Sequence, residues 1–178
     1  NRGTAFATKH PELTPANLGE LARGHLRKLL DTRHLTIDSV RVAAPRAGLS
    51  DPSTIDRTVD NARAAIQLAH ELHVTTVALN VGPLSVENSG GSGAVAALRE
   101  LAERADAAGI TLALAADAAG PLEALLQQVN FDRARANLDT ARLIASGEDP
   151  LPVAEKWAGH LGQFTAADAV RTLRLARE

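Results

Sequence analysis

Three polar residues stand at or just behind short apolar runs, where a side chain could meet a ligand. His10 and Arg46 each follow one such run, and Asn80 lies near the end of a third. The guanidinium of Arg46 could attract an anionic ligand through charge-assisted hydrogen bonds. The amide of Asn80 could face the same ligand if it is buried. Each of the three positions is equally consistent with an ordinary surface residue.

Two further patterns have the spacing of known binding sites. His70 and His73 lie three residues apart on a predicted helix, which brings both imidazoles to one face. They fall where that helix leads into a strand, so we interpret them as a surface pair. The segment Gly90-Gly91-Ser92-Gly93 could cradle a phosphate at the start of the next helix. No Lys-Ser or Lys-Thr pair follows it, which favours an ordinary loop tip.

The elements that must position these residues alternate along the chain. Apolar, often β-branched runs predict strands over Gly3–Thr8, Leu35–Ala44, Val74–Val81, Ile110–Ala115, Ala134–Leu138 and Leu161–Ala166. Helical spacing predicts helices over Pro15–Leu30, Pro52–Leu72, Ala94–Ala108, Pro121–Val129, Thr140–Ser146, Pro152–Ala158 and Ala167–Arg177. Alternating strands and helices indicate right-handed crossovers and a parallel sheet, either open and doubly wound or closed into a barrel.

Residues typical of helix starts and helix ends support these boundaries. Thr14-Pro15 and Asp51-Pro52 each combine a helix cap with a first-turn proline. Gly109 is a typical helix stop. No Gly-rich phosphate fingerprint follows the first strand, which weakens the dinucleotide-binding version of an open sheet.

The composition excludes several functional classes. The chain has 178 residues, 45% of them hydrophobic, a formal net charge of −2 and no cysteine. The near-neutral charge gives no indication of binding to nucleic acid or to an anionic membrane. The sequence also lacks an apolar run of about 18 residues, the length needed to span a bilayer. Disulfides, thiol catalysis and cysteine-ligated zinc are excluded. Because no signal peptide is recognisable, a cytoplasmic protein is the default interpretation.

Four segments, taken in order, resemble the sugar phosphate isomerase/epimerase family, whose members share a xylose isomerase-like TIM barrel. They are "PELTPANLGELARGHLRKLLDTRHLTIDSVRV", "GLSDPSTIDRTVDNARAAIQLAHELHVTTVALNVGP", "ALRELAERADAAGITLALAAD" and "RANLDTARLIASGEDPLPVAEKWAGHLGQFTAADA". The resemblance implies one α/β domain over residues 1–178 of the (β/α)8 type. It also implies an incomplete barrel that lacks its first and last βα units, because a full barrel needs about 250 residues. Exposed sheet edges would then need a cover, and a homo-oligomer is one way to provide it.

The resemblance also implies where chemistry would occur. Family enzymes bind manganese, magnesium or cobalt at the carboxyl ends of the strands, through a Glu, an Asp, a His and a second Glu. The metal polarises a sugar carbonyl while the two Glu side chains move a proton. The first three positions correspond here to Ala115, Asp139 and Thr165, and the fourth lies outside the chain. One candidate metal ligand, Asp139, therefore remains.

The remaining aspartates have simpler interpretations beside the functional ones. Asp139 is well placed to cap the helix that follows it, which is the stronger interpretation. Asp117 could replace the missing carboxylate, but a solvated loop aspartate is more typical of its position. We expect Asp168 to cap the last helix.

Three functional hypotheses follow. The preferred one is a non-catalytic or weakly active relative that needs no cofactor. It would bind a small carbohydrate or sugar phosphate through residues such as His10, Arg46 and Asn80, or else a protein partner. The alternative is an active divalent-metal-dependent sugar isomerase or epimerase that uses Asp139 with other ligands. An open-sheet nucleotide binder ranks last, because the sequence has no phosphate motif.

Overall fold

The computed structural model of the chain describes Pro15, residues 17–84 and residues 92–165. Predictions for Gly3–Thr8, Ala167–Arg177, His10 and Asp168 lie outside the described residues. The helices are α1 (Glu20–Thr32), α2 (Pro52–Glu71), α3 (Ser92–Ala107), α4 (Ala119–Val129), α5 (Thr140–Ala145) and α6 (Pro150–Trp157). The strands are β1 (Val40–Arg41), β2 (Thr76–Gly82), β3 (Thr111–Ala116), β4 (Ala134–Asp139) and β5 (Leu161–Thr165). No helix in these ranges is long and apolar enough to cross a membrane.

The five strands form one parallel sheet in the order β1-β2-β3-β4-β5. Each strand pairs with the next along the chain, as in a barrel, whereas a doubly wound sheet reverses its strand order at a switch point. The predicted α/β fold of TIM-barrel type is therefore confirmed, and the described strands form a half-barrel.

Side chains of the central strands alternate between two buried environments. Leu112 and Leu114 of β3 face the outer helices and are fully buried in the main core. Ala113 and Ala115 face the concave side and are almost as inaccessible. Burial on both faces explains why β2 and β3 have nearly continuous apolar sequences.

The concave side is tightly curved, and β5 shows how closely the strands approach. A Cβ atom at Gly162 would lie 2.8 Å from the Cβ atom of Arg135 and 3.0 Å from Cγ2 of Thr111. Only glycine allows β5 to pass so near to the inner faces of β4 and β3.

A side-chain bridge joins the last described strand to the segment before the first. Nε2 of Gln163 donates to Oγ of Ser39 at 2.7 Å and to Oδ2 of Asp38 at 3.3 Å. Oε1 of Gln163 is buried and has no hydrogen-bond partner in the described part of the chain. The two edges of the half-barrel therefore meet through side chains on its concave side.

Helix α2 shows how local sequence fixes an element. Asp51 accepts the backbone N–H of Ser53 at 2.9 Å and Pro52 opens the helix, so the predicted cap is confirmed. Its inner face buries Val59 and Ile66 in the core. Burying one such side chain stabilises the fold by about 1.5–3 kcal/mol. Gly109 adopts a φ of +71° behind α3, as expected for a helix stop.

Two boundary predictions were wrong. The helix predicted from Pro15 begins at Glu20, behind Gly19, which makes no side-chain cap. The strand predicted over Leu35–Ala44 is limited to Val40–Arg41. Among the described strands β1 pairs only with β2, so the residues before it have no ladder to extend, and Ser39 instead contacts Gln163.

Candidate functional site

The carboxyl ends of the strands surround a cavity of about 350 Å³, called the mouth cavity here. This volume lies within the range of small-molecule sites. Its polar lining consists of Arg41, Arg57, Arg142, Asn80, Asn137 and Asp139.

Asp139 ends β4 and caps the helix behind it, as its stronger interpretation predicts. Its Oδ1 accepts the backbone N–H of Arg142 at 3.3 Å. The side chain of Asp139 is only 14% exposed, and Nε of Arg142 lies 3.5 Å from its Oδ2. A carboxylate buried to this degree needs a nearby positive charge, which the guanidinium supplies.

The same guanidinium also binds Asp117, which lies behind β3. Nη1 of Arg142 donates to Oδ1 of Asp117 at 2.5 Å. Arg142 therefore lies between the two aspartates that sequence reasoning considered for a metal. Its side chain is 35% exposed, so this cation sits partly within the rim of the mouth cavity.

Ala115 of β3 and Thr165 of β5 lie on the two strands that flank β4, which carries Asp139. Ala115 is 5% exposed, lines the mouth cavity and lies in register with Asn80 of β2. Thr165 lies in register with Asp139, and its Oγ1 donates to Oδ1 of Asn137 at 3.0 Å. Asn137 lines the cavity, so the hydroxyl of Thr165 holds one of its polar walls.

The predicted ligand-binding residues differ in their location relative to the mouth cavity. Asn80 lines the mouth cavity, and its Oδ1 accepts the backbone N–H of Gly82 at 3.2 Å. Arg46 is exposed in the turn behind β1 and is not part of the cavity lining. His10 and Asp168 lie outside the described residues.

The histidine pair is far from this site. His70 and His73 are exposed at the end of α2 that leads into β2. Nε2 of His73 lies 3.2 Å from Nη1 of Arg27, and Nδ1 of His70 lies 3.4 Å from the carbonyl oxygen of Ala108. These contacts agree with the interpretation of a surface pair.

The loop between β1 and α2 is held rigidly against the end of β2. Gly48 has a φ of +57°, and a Cβ atom there would lie 2.6 Å from the carbonyl oxygen of Val81. The backbone N–H of Leu49 donates to the same oxygen at 2.8 Å. Thr58 is fully buried, and its hydroxyl donates to the carbonyl oxygen of Gly48 at 3.2 Å. One rim of the mouth cavity is therefore preorganised.

A second cavity, of about 390 Å³, lies at the amino end of β4 with Phe131 and Trp157 in its lining. Trp157 is only 5% exposed, so its ring offers little surface for stacking. Loops at this end of a barrel support stability, whereas active sites form at the opposite end. The mouth cavity is therefore the better candidate.

The described residues of the mouth do not fit a divalent metal ion. Residues 17–84 and 92–165 contain no group of three His, Asp or Glu side chains that could hold one. Asp139 is the single carboxylate in the lining, and its two oxygens already face Arg142. The guanidinium groups of Arg41 and Arg57, which have no carboxylate partner among the described residues, would also repel a cation.

Sequence reasoning missed the three arginines of the lining, although the sequence contains hints of two. Arg41 stands between Val40 and Val42, so strand alternation places it on the face opposite to theirs. Arg142 follows Asp139 by three residues, which is the spacing of an ion pair on a helix. Arg57 has no comparable pattern, because its place in the lining depends on how α2 packs beside β1.

The comparisons with known proteins agree with the fold. A profile described as xylose isomerase-like TIM barrel matches residues 3–176. No curated protein sequence is significantly similar to the chain. Among solved structures, a xylose isomerase domain protein from Planctomyces limnophilus superposes with a TM-score of 0.76 at 17% identity, over 84% of this chain and 60% of that one.

Two further structures carry ligands in their descriptions. A xylose isomerase-like TIM barrel protein from Mycobacterium smegmatis in complex with magnesium superposes with a TM-score of 0.66 at 17% identity, over 91% of this chain and 69% of that one. A D-allulose 3-epimerase from Methylomonas sp. in complex with D-allulose superposes with a TM-score of 0.68 at 19% identity, over 93% of this chain and 68% of that one. The chain thus spans 60–69% of the length of these three proteins. At such identities the likeness shows the fold alone.

Proposed function

Because the chain belongs to the xylose isomerase-like TIM barrel family, we propose that it binds a small carbohydrate in the mouth cavity with weak or no isomerase or epimerase activity. The cavity lies at the carboxyl ends of the strands, where this fold places its active sites. A relative of the same fold binds D-allulose, which supports a sugar as the class of ligand.

The position of Arg142 supports the part of the proposal that concerns weak or absent isomerase and epimerase activity. Its guanidinium is bound to Asp117 and lies beside Asp139, so a cation would have to compete with it for either carboxylate. Ala115 offers no oxygen at the position where the family resemblance implies a Glu. Proton transfer between sugar carbons needs an acid and a base within reach of the substrate. The described lining offers one carboxylate, already neutralised, for that role.

Two measurements test the proposal. We expect D-allulose or a related ketose to bind the protein in the presence of EDTA, as measured by isothermal titration calorimetry. We expect Mn²⁺, Mg²⁺ and Co²⁺ to leave the melting temperature unchanged, because a specific site would raise it through ligand linkage. Sugar binding that required a divalent ion, or epimerisation of these ketoses followed by NMR, would contradict the proposal.

The alternative is an active metal-dependent isomerase or epimerase that uses Asp139 with other ligands. The relative solved with magnesium and the location of Asp139 in the mouth cavity favour it. It predicts that Asp139→Asn abolishes both a manganese-dependent rise in melting temperature and ketose turnover. Because Asn also caps helices well, this substitution separates loss of the charge from loss of the cap.

A further inference from the structure

We infer that the mouth cavity selects an anionic carbohydrate, one that carries a phosphate or carboxylate group, and that Arg41 and Arg57 hold this group. The inference rests on the proposed function, because it names the class of ligand that the same cavity would take.

The first argument is the distribution of charge. Three arginines and one aspartate line the cavity. Arg142 is paired with both Asp139 and Asp117. Arg41 and Arg57 make no hydrogen bond or ion pair with any other described residue, and these five groups together give the mouth a net charge of +1. Guanidinium groups are well suited to bidentate contacts with carboxylates and phosphates.

The second argument is the supply of neutral donors. Asn137 is 5% exposed, and its Oδ1 accepts the hydroxyl of Thr165. Its amide nitrogen has no acceptor within the described ranges. This nitrogen can therefore donate to a ligand oxygen in the cavity, whose lining includes Asn137. Asn80 is oriented similarly, since Gly82 uses its Oδ1 and leaves its amide N–H groups available.

The third argument concerns what the cavity lacks. A neutral sugar presents hydroxyl groups that donate as well as accept, so its site needs acceptors. Asp139 is the carboxylate acceptor of the lining, and it already faces Arg142. A carbohydrate that also carries a group whose oxygens only accept is therefore the better match for this donor-rich surface.

Both arginines are mounted on fixed elements. Arg41 is held in β1 between Val40, which packs against the core, and Val42, which is buried in it. Arg57 precedes Thr58, whose buried hydroxyl binds the carbonyl oxygen of Gly48. Fixed backbones reduce the entropy lost when these side chains engage a ligand.

The experiment compares ligands and variants by isothermal titration calorimetry. The probes are D-fructose, D-fructose 6-phosphate, D-gluconate and inorganic phosphate. The variants are Arg41→Gln and Arg57→Gln, with Arg63→Gln as the matched control. Arg63 also lies on α2, but it pairs with Glu100 and Asp60 on the helix surface and does not line the mouth cavity.

We expect at least one sugar anion to bind about tenfold or more tightly than D-fructose. Each variant of the mouth should weaken that binding by roughly ten- to hundredfold, because a charge-assisted hydrogen bond contributes about 1.5–3 kcal/mol. Added salt should also weaken the binding of the sugar anion, whereas Arg63→Gln should leave it unchanged. The tighter binder of D-fructose 6-phosphate and D-gluconate identifies the preferred anionic group as phosphate or carboxylate. Arg41→Lys should keep part of the affinity, which separates loss of charge from misfolding.

The other outcomes separate the two proposals. If D-fructose binds as tightly as the anions and the variants change nothing, the inference is wrong and the proposed function stands. If inorganic phosphate binds as tightly as either sugar anion, the site is a general anion site and the inference is again wrong. If no probe binds, the inference is wrong, and if D-allulose also fails to bind, the proposed function fails with it.

Discussion

Arg142 and Asp117 form an ion pair of 2.5 Å across the rim of the half-barrel, joining the first turn of α5 to the end of β3. The pair belongs to a larger arrangement, because the same guanidinium lies beside Asp139. The positive charge of Arg142 therefore lies beside the carboxylate that the family resemblance implies as a metal ligand. The consequences of this pairing are testable in several ways.

The first prediction concerns the stability that Arg142 provides. Arg142→Met should lower the free energy of unfolding by roughly 0.5–2 kcal/mol, because it leaves the mostly buried Asp139 without its counter-charge. Urea denaturation measures the loss. Lys156→Met is the control, since it breaks the more exposed pair with Glu123. A loss in the control as large as that in Arg142→Met would show that the position of Arg142 has no special importance.

The second prediction is that a metal site can be built only after Arg142 is removed. Ala115→Glu with Thr165→His should give little Mn²⁺ binding while the guanidinium still faces Asp139. Adding Arg142→Met should produce a manganese-dependent rise in melting temperature, because three ligands would then be available. Isothermal titration with Mn²⁺ provides a second readout. No binding by the triple variant would mean that these strand ends do not converge as we describe.

The third prediction tests the rigid rim. Gly82 has a φ of +92°, and a Cβ atom there would overlap the carbonyl oxygen of Ala47. Gly82→Ala should therefore destabilise the fold by about 2–4 kcal/mol, from strain at positive φ together with the clash. Gly120→Ala, in helix α4 with open space around it, should be neutral or stabilising by up to about 1 kcal/mol. Equal melting temperatures for the two variants would contradict the close packing of this loop.

The sequence predicts the elements of this fold far better than it predicts the site. Continuous apolar runs fixed β2 and β3 to within two residues, because strands buried on both faces tolerate little else. The edge strand β1 was overestimated, since its length depends on pairing with a neighbour rather than on its own residues. Arg57 could not be found, because nothing in its local sequence shows that α2 carries it beside β1.

The fourth prediction is a dependence of stability on pH through Glu71. Hydrogen bonds from Gln67 and, secondarily, Arg23 lower the pKa of the Glu71 carboxyl below its ordinary value. A lowered pKa stabilises the fold above the ordinary value, and that stabilisation is lost as pH falls through the pKa of the folded state. Urea midpoints should therefore fall less steeply on acidification in Glu71→Gln than in the wild type.

The control for this measurement is Glu103→Gln. Glu103 is exposed on α3 and makes no ion pair or hydrogen bond within the described ranges. Its variant should follow the acid sensitivity of the wild type. If Glu71→Gln also follows it, the contacts of Glu71 contribute nothing to the pH dependence.

The fifth prediction concerns the bridge between the two edges of the half-barrel. Gln163→Ala, Ser39→Ala and the double variant form a mutant cycle around a bond of 2.7 Å. We expect a coupling energy of about 0.5–1.5 kcal/mol, typical of a hydrogen bond between neutral groups. Equilibrium unfolding of the four proteins provides the value. Strict additivity would mean that the contact does not help to hold the edges together.

The bridge between Gln163 and Ser39 lies outside the lining of the mouth cavity. Ser39 precedes β1 and Arg41 ends it, so the bridge lies towards the amino ends of the strands. The close passage of Gly162 over Thr111 and Arg135 fills the same depth. Among the described residues, these contacts therefore occupy the amino-end side of the half-barrel, whereas Arg41, Arg57 and Arg142 line its carboxyl-end side, from which a molecule would reach the cavity.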